Sequence, residues 1–381
     1  MMHAEPRFTV GIEEEYFLVN RATGDLAIDP PEGMVEECGQ SIDYGTFSPE
    51  FLRSQLEVGT PVCTTVRDAR KALGQLRHRA REVCGHYGLA PVAASTHPIA
   101  QWDAVKHTDR ERYNALSQDL QAPVRRLLIC GMHVHVGIED PDLRIDLMSQ
   151  MSYFLPHLLA LSTSSPFWRG RNTGLKSYRL SVFKELPRTG LPEQFHSWGE
   201  YQRHVNVLVD AGLIQDASKL WWDVRPSCRF PTLEMRISDV CTTVDDAAAV
   251  AALYVCILRM LWRLRRSNQR WRMYAHMLVE ENRWRAQRYG TDEGLVDFGK
   301  GRIIPYADLL EELFQLIAED AAALDCQAEL AGCRTILQRG TSAHRQVALY
   351  QQAISAGRTD AEALREVAEF LIEETGRDLL L

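Results

Sequence analysis

Seven side chains in four short segments have the types and spacing to do chemistry together. Glu13 and Glu15 lie in Phe8–Val19, Glu57 in Ser54–Thr60, His133 and His135 in Ile129–Ile138, and Glu234 and Arg236 in Phe230–Ser238. In a strand, successive side chains point to opposite faces, so each i, i+2 pair shares a face, about 7 Å apart. Carboxylates placed this way repel unless something positive sits between them. Hard oxygen donors suggest Mg²⁺ or Mn²⁺, and carboxylates with one or two imidazoles suit two or more divalent ions in a cluster. Arg236 beside them, with the arginines of 169–179, would hold an anion such as phosphate or carboxylate. Polyphosphate bridged by divalent cations is the natural ligand of such a face. A Walker A pattern and a kinase-type glycine loop are both absent, so a nucleotide would need a different architecture. The structural alternative for Glu13 and Glu15 is the charged face of a solvated edge strand.

The elements that must position these groups read as four amphipathic strands. Opposite the polar positions run Leu56 and Val58; Cys130, Met132, Val134, Val136 and Ile138; and Leu233, Met235 and Ile237. If the strands share one sheet, helices cover its apolar face. Glu14 breaks the pattern, falling with Val10, Ile12, Tyr16 and Leu18, where it must be paired or sit at a bulge. Gly131 and Gly137 leave room for something bulky above the polar face.

Leu89–Ser95 and Trp221–Arg225 are further strand candidates, and Asn20–Asp25 is a turn. Val66, Ala69, Leu73, Leu76, Ala80 and Val83 mark a helix opened by Thr65 and Asp68. Leu143 to Leu161 predicts one long amphipathic helix, and Thr243 with Asp246 caps another running through Leu264. From about 270 to 381 the pattern is mostly helical, with Leu309, Leu313 and Leu316 on one face and Ala361–Leu371 giving another. No period persists from Phe167 to Pro192, an arginine-rich stretch whose length suits a lid or substrate loop over 165–190. Without a linker, repeat or low-complexity tract, residues 1–381 read as a single domain.

At 45% hydrophobic and 25% charged residues, the composition is that of a soluble globular protein. A formal charge of −8, from 43 basic and 51 acidic residues, with no dominant basic cluster, disfavours a nucleic-acid partner. The nine cysteines never form CxxC, which argues for reduced thiols in a cytosol. Met1–Arg7 lacks the apolar core of a signal peptide. Ala247–Ile257 is too short to cross a bilayer and reads as a buried helix. The expectation is a cytoplasmic protein with no membrane partner.

Gly11-Ile12-Glu13-Glu14-Glu15, Gly131-Met132-His133-Val134-His135-Val136-Gly137, Arg169-Gly170-Arg171-Asn172-Thr173-Gly174 and Leu233-Glu234-Met235-Arg236 together resemble the bacterial carboxylate-amine ligases, the second family of glutamate–cysteine ligases. The likeness continues through Glu281-Asn282-Arg283-Trp284-Arg285-Ala286 and Arg288-Tyr289-Gly290, so it covers nearly the whole chain. More distantly, the family is similar to glutamine synthetase. That resemblance implies an α+β fold: a curved, mainly antiparallel β-sheet with helices on the outer face, and ATP with Mg²⁺ or Mn²⁺ on the concave face. It implies Glu13, Glu15, Glu57, His133 and Glu234 as metal ligands, and His133, His135, Arg169 and Arg236 at the nucleotide. Arg236 would sit at the transferred phosphoryl group, with Arg171 and Arg179 as its catalytic companions. A homodimer is also implied.

The activity implied is ATP-dependent ligation through an acyl phosphate, joining glutamate to cysteine as in glutathione biosynthesis, with ADP and phosphate released. The nucleotide and ammonia loops of glutamine synthetase have no counterpart here, so the acceptor amine does not carry over from that enzyme. A ligase for another carboxylate and amine, a metal-dependent hydrolase of an amide or phosphoester, and a non-catalytic binding protein are the alternatives.

Overall fold

The structure, a computed structural model, describes residues 5–380, so Met1–Ala4 of the N-terminal stretch and Leu381 lie outside the described residues. Seven strands pair antiparallel in one sheet: β1 (Val10–Asn20), β2 (Thr46–Pro49), β3 (Gln55–Gly59), β4 (Leu89–Val92), β5 (Met132–Gly137), β6 (Val224–Pro226) and β7 (Thr232–Met235). Their order is β6-β7-β5-β1-β3-β2, with β4 alongside the far end of β1. The run of β-branched and aromatic residues in β1 makes it the longest of these strands. It pairs with β5 through Val10–Glu14, with β3 through Glu13–Phe17 and with β4 through Phe17–Asn20. The protein is thus a mixed helix-and-strand structure around an antiparallel sheet.

Register converts the sequence alternation into contacts. Glu15 lies opposite Glu57, Glu13 opposite His133, and His135 opposite Glu234. A slip of one residue in any of these pairings would move its polar set to the other face.

On that other face Val10, Ile12, Tyr16 and Leu18 are buried. The helix α1 (Val66–His86) packs there, its first turn capped by the Thr65 hydroxyl accepting from the Asp68 amide at 3.1 Å. Glu14 is fully buried in this layer and is bonded by Arg77 of α1 through two donors, Nε to Oε2 at 2.9 Å and Nη2 to Oε1 at 2.8 Å. The Tyr16 hydroxyl donates to the same carboxylate at 2.5 Å. The remaining Arg77 donors reach the Cys241 and Thr242 carbonyls at 2.8 and 2.6 Å. No bulge is needed: Glu14 is paired.

The expected long helix over 143–161 is broken into α2 (Pro141–Met151), a 3-10 turn at Ser152–Phe154, and α3 (Leu155–Ser162). Pro156 is the physical reason, since it has no amide to donate and its ring crowds the carbonyl four residues back. α4 (Val244–Arg266) begins at its Thr243 cap and is long and apolar enough to span a membrane by composition alone, yet 83% of its most apolar window is buried within the fold. Beyond it run α5 (His276–Tyr289), α6 (Tyr306–Ala323), α7 (Gln327–Arg339), α8 (Ser342–Ser355) and α9 (Asp360–Thr375). In α6 the buried stripe runs through Leu309, Leu313 and Ile317, while Leu316, expected on it, is 40% exposed.

Removing one partner of a buried ion pair strands the other charge. Arg77→Met alone is therefore expected to lower stability by about 3–5 kcal/mol, read as a reduced urea midpoint, and adding Glu14→Leu should recover most of that loss. A single-variant loss below about 1 kcal/mol would show that the pair does not hold α1 to the sheet.

Candidate functional site

The polar sheet face gathers two groups of ligand atoms, Glu13, His135 and Glu234 in one and Glu15, Glu50 and Glu57 in the other, each lying within 4.8 Å of one another. Two ionised carboxylates at that separation repel by roughly 3.5 kcal/mol at an effective dielectric near 20. Burial first, then the neighbouring Glu50, pushes the Glu15 carboxyl up to about 8. Burial and the charges of Glu50, Glu13 and Glu15 drive Glu57 well above the usual carboxylate range. The second group is therefore an acidic cluster short of positive charge, and hard oxygen donors of this kind fit Mg²⁺ or Mn²⁺.

The first group is already supplied with cations. Arg225 donates to Glu234 from Nε at 2.9 Å and Nη2 at 3.2 Å, and Arg236 Nη1 donates to Glu234 Oε1 at 2.5 Å. Burial opposes ionisation of Glu234, but Arg236 and Arg225 outweigh it and hold the carboxyl far below its ordinary range. Glu13 behaves likewise: burial opposes its charge, and the adjacent imidazoles of His133 and His135 outweigh it, holding the carboxyl well below its ordinary range.

The two histidines differ. His135 Nδ1 meets the Thr232 hydroxyl at 2.9 Å, which turns Nε2 toward Glu13 Oε1 at 3.6 Å. Burial disfavours its cation, but Glu13 and Glu234 raise its pKa above the usual value. His133 Nδ1 lies 3.4 Å from Glu13 Oε2 and 3.3 Å from Arg236 Nη1. Burial and Arg236 push it down to about 4, keeping the imidazole neutral. Both Nε2 atoms are buried without a hydrogen-bond partner among the described residues, as open ligand positions would be.

Of the residues singled out from the sequence, Glu13, Glu15, Glu57, His133, His135, Glu234 and Arg236 meet on this face. Arg179 joins them: its buried guanidinium donates to the Arg236 carbonyl at 3.2–3.3 Å, and a Cβ on Gly131 would meet its Nη2 at 2.4 Å. The space over Gly131 is thus filled by Arg179, and that over Gly137 by Thr9, whose Oγ1 a Cβ would meet at 2.3 Å. The chain's own side chains, not a ligand, require both glycines. Arg169 and Arg171 lie elsewhere, lining a separate cavity with Trp102 and Arg126.

The 165–190 segment holds more structure than its lack of period suggests. Phe167–Trp168 pairs with Arg171–Asn172 as a hairpin, Arg179–Phe183 is a short helix, and Thr189–Gly190 pairs with Trp221–Trp222. Buried Asp239 accepts from the Ser164 amide at 2.8 Å and from the Ser165 and Ser177 hydroxyls at 2.7 and 2.8 Å, anchoring the first half of the segment to the sheet side.

Residues 9–369 match the family described as Glutamate-cysteine ligase family 2. This chain belongs to that family. Among its relatives, a Rhodospirillum rubrum protein is 63% identical over 97% of this chain and 96% of its own length, and one from Paracoccus denitrificans is 53% identical over 99% and 100%; both are provisionally named glutamate--cysteine ligase 2. Two solved structures share the fold. A bifunctional glutathione synthetase from Pasteurella multocida has a TM-score of 0.69 at 16% identity over 97% of this chain and 53% of that one. A glutamate--cysteine ligase from Francisella tularensis, in complex with AMP, has a TM-score of 0.67 at 14% identity over 98% and 90%.

In this glutamate–cysteine ligase family 2 chain, sequence reasoning missed Glu50 and Arg225. Arg225 had a signal, because a β6–β7 hairpin sets it directly opposite Glu234, where opposite charges attract. Glu50 had none. It follows β2, and only the pairing of β2 with β3 carries it to Glu57. Glu50→Gln is expected to weaken Mn²⁺ binding at least tenfold in a nucleotide-free titration while leaving the thermal midpoint unchanged or raised, since it removes a repelling charge. Unchanged Mn²⁺ affinity would exclude Glu50 as a ligand.

Proposed function

We propose that this chain is an ATP-dependent carboxylate–amine ligase that joins the γ-carboxylate of glutamate to the amine of cysteine, releasing ADP and phosphate. The observation that carries the reading is the meeting of two ligand groups, Glu13/His135/Glu234 and Glu15/Glu50/Glu57, with Arg236 and Arg179 on one sheet face. Family membership supports the reaction class, and the AMP complex of the Francisella tularensis ligase is in keeping with an adenine nucleotide. In this reading the fold is of the glutamine synthetase type, a curved sheet with outer helices in one domain over 1–381, working as a cytoplasmic homodimer in glutathione biosynthesis.

Amide formation from a free carboxylate is uphill in water, so the carboxylate is first activated as an acyl phosphate; the amine then attacks the acyl carbon, forming the C–N bond as phosphate leaves. The two carboxylate groups would hold Mg²⁺ or Mn²⁺, which when bound neutralises phosphate charge and polarises the acceptor carboxylate. Arg236 and Arg179 supply fixed positive charge where the phosphoryl group moves, a contribution of several kcal/mol in comparable sites. Neutral His133 offers its open Nε2 to a cation or to a phosphate oxygen. Glu234 is held in place by Arg225, whose Nη1 is itself anchored on the Ser218 and Leu220 carbonyls at 2.8 and 2.7 Å.

The test is release of ADP and phosphate from Mg²⁺, ATP and glutamate with single amines as acceptors. A sharp rise with cysteine, and a γ-glutamyl product by mass, is the expected result. Response to another amine alone would redirect the substrate, and turnover without nucleotide would favour the metal-dependent hydrolase. Glu13→Ala should reduce turnover at least a hundredfold with the circular dichroism spectrum and thermal midpoint kept, because the side chain is 34% exposed and its charged-group neighbours are the site histidines His133 and His135. Wild-type activity in that variant would sink the assignment.

A further inference from the structure

The cavity lined by Arg169 and Arg171 has a volume of about 580 Å³ and shares no lining residue with the two ligand groups. One step of backbone links the two places. Arg179 turns toward Glu15 and Gly131, while its neighbour Tyr178, with Val182 one helical turn on, faces the cavity. Adjacent α-carbons are 3.8 Å apart, so the cavity adjoins the sheet face across a single short helix.

Its charges are preorganised. The Trp102 indole carries the Arg126 guanidinium 5.5 Å from its centroid and that of Arg169 at 5.9 Å. Arg126 is neutralised by Glu185 at 2.9 Å. Arg169 Nε donates to Gln101 Oε1 at 2.7 Å, which leaves both its terminal nitrogens without a partner among the described residues. Arg171 is exposed, and its side chain has no hydrogen bond or ion pair among the described residues. Three guanidinium groups against one carboxylate leave two positive charges in excess.

The backbone reinforces this placement. Arg169 has φ 52° and Gly170 φ 76°, the two left-handed positions of a tight hairpin turn between Phe167–Trp168 and Arg171–Asn172. That conformation is unfavourable for a residue with a side chain, and here the hairpin and the Gly170 amide on the Pro98 carbonyl at 2.9 Å hold it. The turn projects both arginines from one rigid unit, and planar guanidinium forks match a carboxylate bidentately.

We propose that this cavity binds the carboxylate of an amino-acid substrate at the end remote from the reacting atoms, with Arg171 and Arg169 as its fork. The proposal rests on the ligase reading, in which glutamate and cysteine each carry an α-carboxylate that takes no part in bond formation. It moves Arg169 and Arg171 from the nucleotide and the phosphoryl group, where the family resemblance set them, to the substrate.

The experiment compares Arg171→Gln and Arg171→Lys with the parent chain in separate titrations of glutamate, cysteine and ATP. The expected result is a rise of at least tenfold in KM for one amino acid in Arg171→Gln, a smaller rise in Arg171→Lys, and unchanged KM for ATP. A rise confined to ATP would make the cavity a phosphate site and overturn the proposal, as would no change in any KM. Fluorescence of Trp102 and Trp168 gives a readout free of turnover. Saturable quenching by glutamate or cysteine that is lost in Arg171→Gln supports the site even in a chain that forms no amide bond. Absence of Arg171-dependent quenching overturns the site while the ligase reading stands.

Discussion

Carboxylates brought within 4.8 Å of each other on a largely buried sheet face cannot all stay ionised without positive charge close by. The two halves of the face meet that constraint differently. Around Glu13 and Glu234 the chain supplies its own partners, with the guanidinium groups of Arg225 and Arg236 on Glu234 and two imidazoles beside Glu13. Around Glu15, Glu50 and Glu57 no guanidinium is bonded to a carboxylate among the described residues, and Arg179 only stands near Glu15. The positive charge missing there is what a divalent ion would supply, which gives the proposed chemistry its physical footing.

The opposite face of β1 solves the same problem inside the core. Glu14 needs a cation as much as its neighbours do, and Arg77 meets it with two hydrogen bonds while reaching the carbonyls that precede α4. One guanidinium therefore ties the central strand, α1 and the approach to α4 together. Burying the apolar face of β1 makes its register costly to disturb, and the register is what sets Glu13 against His133 and Glu15 against Glu57. Rigidity of this kind is what ordered ligands for a cation require.

Arginine has three distinct jobs around the sheet. Arg77 is structural, Arg225 positions Glu234, and Arg236 with Arg179 adds fixed positive field on the polar face. Arg169 and Arg171 stand apart: Arg169 lies over the Trp102 ring in a turn of positive φ, Arg171 follows that turn in the hairpin, and neither is paired with a carboxylate among the described residues. Arg77 and Arg225 spend their donors on internal partners, whereas Arg169 keeps both terminal nitrogens without a partner and the Arg171 guanidinium is unpaired among the described residues.

Much of the sheet face was legible in the sequence, because a period of two is a local property. Glu13 with Glu15, His133 with His135, and Glu234 with Arg236 share a face in any extended backbone, and the structure brings the three pairs together. The cap at Thr65 and the start of α4 are equally local, being set by one hydroxyl and an amide three residues on. What only the tertiary structure decided is everything that depends on which strand lies beside which. Glu50 reaches Glu57 through β2–β3 pairing, Arg77 finds Glu14 across helix and sheet, and Gly131 is required by an arginine 48 positions later in the chain. Periodicity orders the side chains of one element against each other; the meeting of charges between elements is set by long-range packing, which leaves no period to read.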